Sequence, residues 1–218
     1  NNALSLMKDD EFLSSHAMIL TNLGIIKTIN EDYEKAAWNY KNAIEKFEKI
    51  NDVRRVSRVY HNLGMLYTQM ENYDAALEEF NKCITVSMDN HYLSNCAVAY
   101  IGKAYIYTKL SNPELADAYT DKAMEIAYKI NDTLSIADIY KVKGMIQNDM
   151  DNFQLSEELF ENSIRINSDM DSKLNEAEST AEMGKLLEKT DRKDESKTYF
   201  EAAVNYYDGL KNEDLVAK

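Results

Sequence analysis

The sequence predicts an all-α solenoid, a right-handed superhelix of about five helical hairpins with partial repeats at both ends. Three observations carry that expectation. Gly24, Gly64, Ala104, Gly144 and Gly184 stand forty residues apart, and a fixed period of this length marks a stacked-repeat architecture. Their surroundings repeat with them: Asn22-Leu23-Gly24 returns as Asn62-Leu63-Gly64, and Ile50-Asn51-Asp52 as Ile130-Asn131-Asp132. Finally, the 218 residues include one Pro and six Gly, too few turn formers for a sheet protein and well suited to helices.

Each hairpin follows from residue spacing. In the second repeat Val56, Tyr60, Leu63, Tyr67 and Met70 recur at intervals of four and three, which places them on one helix face. Asn72 marks a break. Tyr73, Ala76, Leu77, Phe80, Cys83 and Ile84 then line a second helix. Two helices and a short turn make an antiparallel pair, and neither can bury its apolar stripe without the next repeat. Stepping by forty gives repeats at 11–50, 51–90, 91–130, 131–170 and 171–210. Residues 1–10 read as the end of a preceding repeat, because Asn2-Ala3-Leu4 aligns with Asn42-Ala43-Ile44. Residues 211–218 read as the start of a further helix or a tail. Neither end shows a recognisable polar cap, so 1–218 reads as one repeat domain of a longer protein. In the third repeat Gly102 imitates the small slot but lies two residues early; Tyr100, Tyr107 and Asn112 align Ala104 instead.

Composition narrows the class of partner. The net charge of -13 disfavours nucleic acid and anionic membrane, both of which reward clustered Lys and Arg. The chain contains no uninterrupted run of about 18 apolar residues, so no membrane-spanning helix is expected, and no signal peptide is visible. Two cysteines, Cys83 and Cys96, are few for a disulfide-stapled scaffold and favour a reducing, cytoplasmic setting. Abundant Lys, Asn and Ile hint at an AT-rich, bacterial genome.

No residue pattern points to catalysis. His16, His61 and His91 fall in different repeats, without Cys, His or carboxylate partners at metal-binding spacing. Asp9-Asp10-Glu11 and the Asp149, Asp151 pair read as acidic clusters at turns, lacking the central Gly of a calcium loop. A phosphate loop and a Gly-x-Ser-x-Gly elbow are absent. The expectation is therefore no enzyme activity, no cofactor and no metal.

The repeated slots resemble the tetratricopeptide repeat, with its bulky residue, Leu-Gly, Tyr, Ala, aromatic and Ala. The second repeat reads Tyr60, Leu63, Gly64, Tyr67, Ala76, Phe80, Cys83, and the fifth Thr180, Met183, Gly184, Leu187, Ser196, Phe200, Ala203. Forty residues exceed the usual length of about 34, as in the long-repeat subclass of kinesin light chains, mitotic-orientation adaptors, bacterial peptide-pheromone sensors and some signalling kinases.

The resemblance implies that the first helix of each repeat lines a concave groove. The residue after the small slot there reads Ile25, Met65, Tyr105, Met145, Lys185, four of five apolar at a position the core does not require. Candidate groove residues are Asn22, Ile25, His61, Asn62, Met65, Tyr105, Lys141 and Met145. Apolar side chains would anchor a peptide, and the Asn22 and Asn62 amides would bond its backbone. The basic clamp that grips chaperone tails is missing, with Thr21, Ile25, Asn62, Val98 and Gly102 in its place. The leading expectation is a non-enzymatic scaffold for a protein or peptide partner. The alternative is the peptide-sensing input domain of a bacterial transcription regulator or sensor kinase, and end-to-end self-association is a third reading.

Overall fold

The computed structural model describes residues 2–216, with side chains described over 9–206. Within these bounds the chain forms ten α-helices and no strand: α1 (Asn2–Ile29), α2 (Tyr33–Lys49), α3 (Val53–Gln69), α4 (Tyr73–Asp89), α5 (Leu93–Lys109), α6 (Pro113–Ile130), α7 (Thr133–Asp149), α8 (Phe153–Asp169), α9 (Lys173–Lys189) and α10 (Lys193–Val216). The chain divides into two compact units, Asn1–Ile106 and Tyr107–Lys218.

The turns are the most regular feature. A non-glycine residue with positive φ recurs every twenty residues, at Glu31, Asn51, Glu71, His91, Ser111, Asn131, Asp151, Asp171 and Asp191. Each takes the left-handed position that ends a helix. At the first, the Glu31 N–H donates to the Thr28 carbonyl at 3.0 Å and the Asp32 N–H to the Lys27 carbonyl at 2.9 Å, the paired bonds of a Schellman motif. Asp32 then begins the next helix, its carbonyl accepting from the Ala36 N–H at 2.9 Å. One residue thus closes a helix and opens the following one, which keeps each turn short. Side chains reinforce the start: Asp52, Asn72, Asn112 and Asp132 accept from the N–H groups of Arg55, Ala75, Leu115 and Ser135, satisfying donors that the helix itself leaves open.

The recurring glycines are slots for aromatic rings. In the first unit a Cβ on Gly24 would lie 2.5 Å from the Tyr40 ring, and one on Gly64 2.7 Å from Phe80. Gly102, set aside by register, serves the same ring: its Cβ would stand 2.5 Å from Phe80 Cζ. In the second unit Gly144 faces Phe160 and Gly184 faces Phe200, at 2.6 and 2.8 Å. The third repeat replaces Gly by Ala104 and the aromatic by Thr120, a reciprocal exchange of bulk in sequence, and both residues are fully buried.

The first unit buries Ala17, Leu20, Ala36, Tyr40, Phe47, Val56, Val59, Leu63 and Leu66 in one cluster, and Ala76, Phe80, Cys83, Ala99 and Ile106 in another. In the second unit, serines occupy small slots and are satisfied locally. Ser156 donates to the Gly144 carbonyl at 2.8 Å and Ser163 to the Ala137 carbonyl at 2.7 Å. Buried hydroxyls paired in this way avoid the cost of an orphaned polar group.

Both ends depart from the sequence expectation. α1 runs unbroken from Asn2 to Ile29, so no turn separates residues 2–10 from the first hairpin, and Asp9, Asp10 and Glu11 lie exposed along a helix. Phe12 occupies the capping slot there, where seven of nine turns place Asp, Asn or Ser, and it offers no side-chain acceptor. At the other end α10 continues to Val216; residues 212–216 extend it and open no further helix.

Candidate interaction face on the first helices

Helical periodicity gives each first helix three faces about 120° apart. On α3, Gly64 and His61 turn toward Phe80 of α4. Val56, Val59, Leu63 and Leu66 close against α2. The third face holds Arg58, Asn62, Met65 and Gln69, of which all but the half-buried Asn62 are exposed. The matching strip on α1 is Met18, Asn22, Ile25 and Ile29, spaced four, three and four, and all exposed. Ile25 is 41% and Met65 42% exposed, so neither is needed by the core. Tyr105, the corresponding residue of α5, is half-buried. α3 and α5 are tied from the Gly64 face instead, where Asn95 Nδ2 donates to the buried Ser57 Oγ at 2.6 Å.

The second unit treats the same face differently. Met145, expected as an open apolar anchor, is only 7% exposed and belongs to the buried apolar set of α7. Lys141 is an ion-pair residue: its Nζ donates to Glu178 Oε2 at 2.6 Å and lies 3.4 Å from Asp138 Oδ1. Asn175 extends the link by donating to Asp138 at 3.4 Å. Burial lowers the affinity of the Lys141 ammonium for its proton, but Asp138 and Glu178 outweigh it and hold the pKa above the usual value. Burial pushes the Asp138 carboxyl up. These four residues tie α7 to α9 and leave no free cation at Lys141.

His61 also differs from expectation. Its ring lies 5.6 Å from that of Phe80, tilted by 47°, and its Nδ1 is buried without a protein partner. Burial pushes its pKa down to about 4, so it is neutral at pH 7 and belongs beneath the exposed strip. Of the eight sequence candidates, Asn22, Ile25, Asn62 and Met65 share one surface of the first unit. Met18 and Ile29 complete that surface and were missed; their spacing of four and three around Asn22 and Ile25 is the signal that finds them.

The expectation of no membrane-spanning helix meets one candidate in α1. Over Asp9–Ile29 it is long and apolar enough, by length and composition, to cross a membrane, and little of it is buried. Ser14, Ser15, His16, Thr21 and Asn22 interrupt the apolar run, yet residues 12–26 carry no Asp, Glu, Lys or Arg. Its apolarity extends around all three faces.

Other reactive groups are structural. Cys83 and Cys96 are free and buried, and burial pushes the Cys83 thiol up to about 12, far from a reactive thiolate. Among the described residues no group of three or more His, Cys, Asp or Glu is placed to hold a metal ion.

A stack of antiparallel helix pairs with glycine slots, aromatic plugs and twenty-residue turns defines a helical-repeat protein. Tetratricopeptide-repeat models match residues 15–88, 97–129 and 177–208, more than half of the chain, and it belongs to the tetratricopeptide-repeat family. Curated protein sequences give no significant match. Among solved structures the chain is similar to BtubC (BKLC) from P. vanneervenii, with TM-score 0.69 and 16% identity over 96% of this chain and 87% of that one. It is also similar to a Rap protein complexed with competence and sporulation factor, with TM-score 0.76 and 14% identity over 89% of this chain and 56% of that one. NprR in complex with its cognate peptide NprX matches with TM-score 0.73 and 15% identity over 87% and 55%. At these identities the likeness is one of fold, and the chain spans about half the length of the Rap and NprR structures.

Proposed function

We propose that the chain is a non-enzymatic interaction module that captures a peptide segment of a partner on the first-helix face of its first unit. Met18, Ile25 and Met65 take apolar anchors, and the Asn22 and Asn62 amides bond the peptide backbone. The observation that carries this reading is the exposure of Ile25 and Met65, near 40% each, at positions flanked by amides and not required by packing. Flexible Met side chains suit a surface that moulds around apolar anchors. The two neighbours solved with a bound factor or peptide, the Rap and NprR complexes, support a peptide as the ligand class. They equally favour a sensing role within a larger regulator as the second reading. Two free buried cysteines favour a reducing, cytoplasmic compartment.

The test is a random peptide library displayed against residues 1–218. Selected binders should carry apolar anchors and lose at least tenfold affinity against Met65→Glu and Ile25→Glu. Both sites are exposed, so helicity should be unchanged. Binders indifferent to both substitutions would remove the first-unit face as the site.

A further inference from the structure

α3 opens against the usual rule for helix charges. Carboxylates favour the first turn of a helix and cations the last, and α2, α4 and α6 begin with Glu34, Asp74 and Glu114. α3 has no acidic residue there and begins with Arg54 and Arg55, followed by Arg58. Where cations open other helices they are neutralised: Lys173 pairs with Glu176 and Lys193 with Asp191, both at 3.1 Å. Arg55 conforms, since it pairs with Asp52, reaches Ser14 Oγ at 3.5 Å and lies over the Phe47 ring. Arg54 and Arg58 do not. Both are exposed, and neither guanidinium has an ion-pair or hydrogen-bond partner among the described residues.

Their setting leaves these two charges unopposed. Arg54, Arg58, Asn62 and Met65 follow one another at intervals of four, four and three along the exposed strip of α3. The helices on either side reach the same turns, α1 through Ser14 and α5 through Asn95, whose Nδ2 donates to the Arg54 carbonyl at 3.4 Å. Residues 12–26 of α1 and 93–102 of α5 contain no Asp, Glu, Lys or Arg. Two free cations thus stand in an uncharged surround, on a chain whose net charge is -13. A local rule broken without compensation inside the fold marks a functional site.

We propose that Arg54 and Arg58 form a subsite for acidic side chains at one end of the peptide strip, so that the ligand carries a pair of Asp or Glu residues beside its apolar anchor. This assignment rests on the peptide-capture reading of the same face. Each guanidinium offers a planar fork of donors that a carboxylate accepts bidentately. Two of them, four residues apart, call for two carboxylates and not the single one of a chain terminus. The helix also sets the spacing. Arg58 stands seven residues and Arg54 eleven before Met65, about 10 and 16 Å at the helical rise. An extended peptide covers that distance in about three to five residues. The acidic stretch is short, because the excess of carboxylates on the chain itself repels a longer polyanion.

The probe is a displayed random-peptide library, selected in parallel against residues 1–218 and against the Arg54→Gln, Arg58→Gln double variant. Both sites are exposed, and removing cations from the start of α3 should leave the melting temperature unchanged or raise it. The parent pool should be enriched in Asp or Glu about three to five residues from an apolar residue, and the variant pool should not. A synthetic, C-amidated copy of the leading parent binder should lose at least tenfold affinity when its acidic residues become Asn or Gln. The same change should cost nothing against the double variant, which isolates the pairing. Binders that depend on Met65 but show no acidic preference, or an acidic preference that survives in the double variant, overturn the subsite and leave peptide capture standing. A selection with no Met65-dependent binder overturns peptide capture, and the subsite with it. If freeing the C-terminal carboxylate of the neutralised peptide restores arginine-dependent affinity, the arginines read a chain terminus and the side-chain assignment is overturned.

Discussion

Replacing Gly64 by Ala tests whether the glycine slots exist for the rings. The added Cβ would meet Phe80 Cε1 at 2.7 Å and Cδ1 at 2.8 Å, both well inside contact distance. The ring has little room to step aside, because Phe80 is fully buried and Gly102 also closes on it, with a Cβ position 2.5 Å from Cζ. Overpacking of this kind costs about 1–3 kcal/mol. Alanine returns about 1 kcal/mol of helix propensity, leaving a net loss of about 0–2 kcal/mol. For a chain of this size each kcal/mol moves Tm by about 2–4 °C, so Gly64→Ala should lower it by up to about 8 °C. Gly184→Ala supplies the internal control. Its Cβ would meet Phe200 at much the same distance, 2.8 Å at the closest, but Phe200 is only half-buried, so the ring can yield and the propensity gain should cancel the loss. Thermal and urea melts followed at 222 nm measure both. Phe80→Leu should cost less in the Gly64→Ala background than in the parent, a coupling of about 1 kcal/mol. Gly64→Ala as stable as Gly184→Ala, with no coupling to Phe80, would refute the slot argument.

Three further outcomes follow from the same geometry. His61 has its native pKa held at about 4 by burial, against the 6.5 of a solvated imidazole. The unfolded chain therefore takes up a proton that the native one refuses, and stability falls as pH drops from 6.5 toward 4, by up to about 3 kcal/mol. His61→Leu should flatten that slope in urea melts between pH 4 and 7, and a native His61 titrating near 6.5 by NMR would contradict it. Glu71 holds φ 56°, a left-handed conformation that costs a non-glycine residue about 1 kcal/mol; Glu71→Gly should raise stability by about 0.5–1 kcal/mol. Asn51→Gly should change little in the same melts, since Asn tolerates the region. Cys83, raised to about 12, and the buried Cys96 should resist a thiol reagent in the native state and react within the unfolding transition; reaction of both at native conditions would show that the first unit opens locally.

Most of the fold is legible in the sequence because the turn chemistry and the slot chemistry share one period. Asn or Asp near each twentieth residue, and Gly paired with an aromatic sixteen residues later, each announce a local geometry, and both agree on register. What escaped the sequence is what depends on partners across helices. Gly102 looked like an impostor because the motif assigns one small residue per repeat, yet Phe80 is clasped by two. Met145 and Lys141 looked available because periodicity reports which face a residue occupies. It does not report whether the neighbouring helix reaches over it, and α9 supplies Glu178 to Lys141 at 2.6 Å. His61 was placed on the wrong side for a related reason: three residues before a glycine is one helical turn, so it shares the face of Gly64 and lies against the same ring.

The contrast between the two units bears on where binding energy can come from. Along α7 and α9 the residues facing one another are charged and paired, Lys141 with Asp138 and Glu178, and a ligand there would have to replace contacts already made. Each such exchange returns little, because breaking a partly buried pair strands one charge. Along α1 and α3 the corresponding residues are Met18, Asn22, Ile25, Asn62 and Met65, which form no ion pair with one another. Water covers the exposed side chains among them, so a ligand displaces only solvent from apolar surface, and each buried methylene contributes about 0.8 kcal/mol. The repeats are therefore alike as folding modules and unlike as surfaces. If the proposed peptide capture holds, Lys141→Met should leave it unchanged while loosening the link between α7 and α9, whereas Met65→Glu should do the reverse. That opposition separates a residue that holds the solenoid from one that uses it.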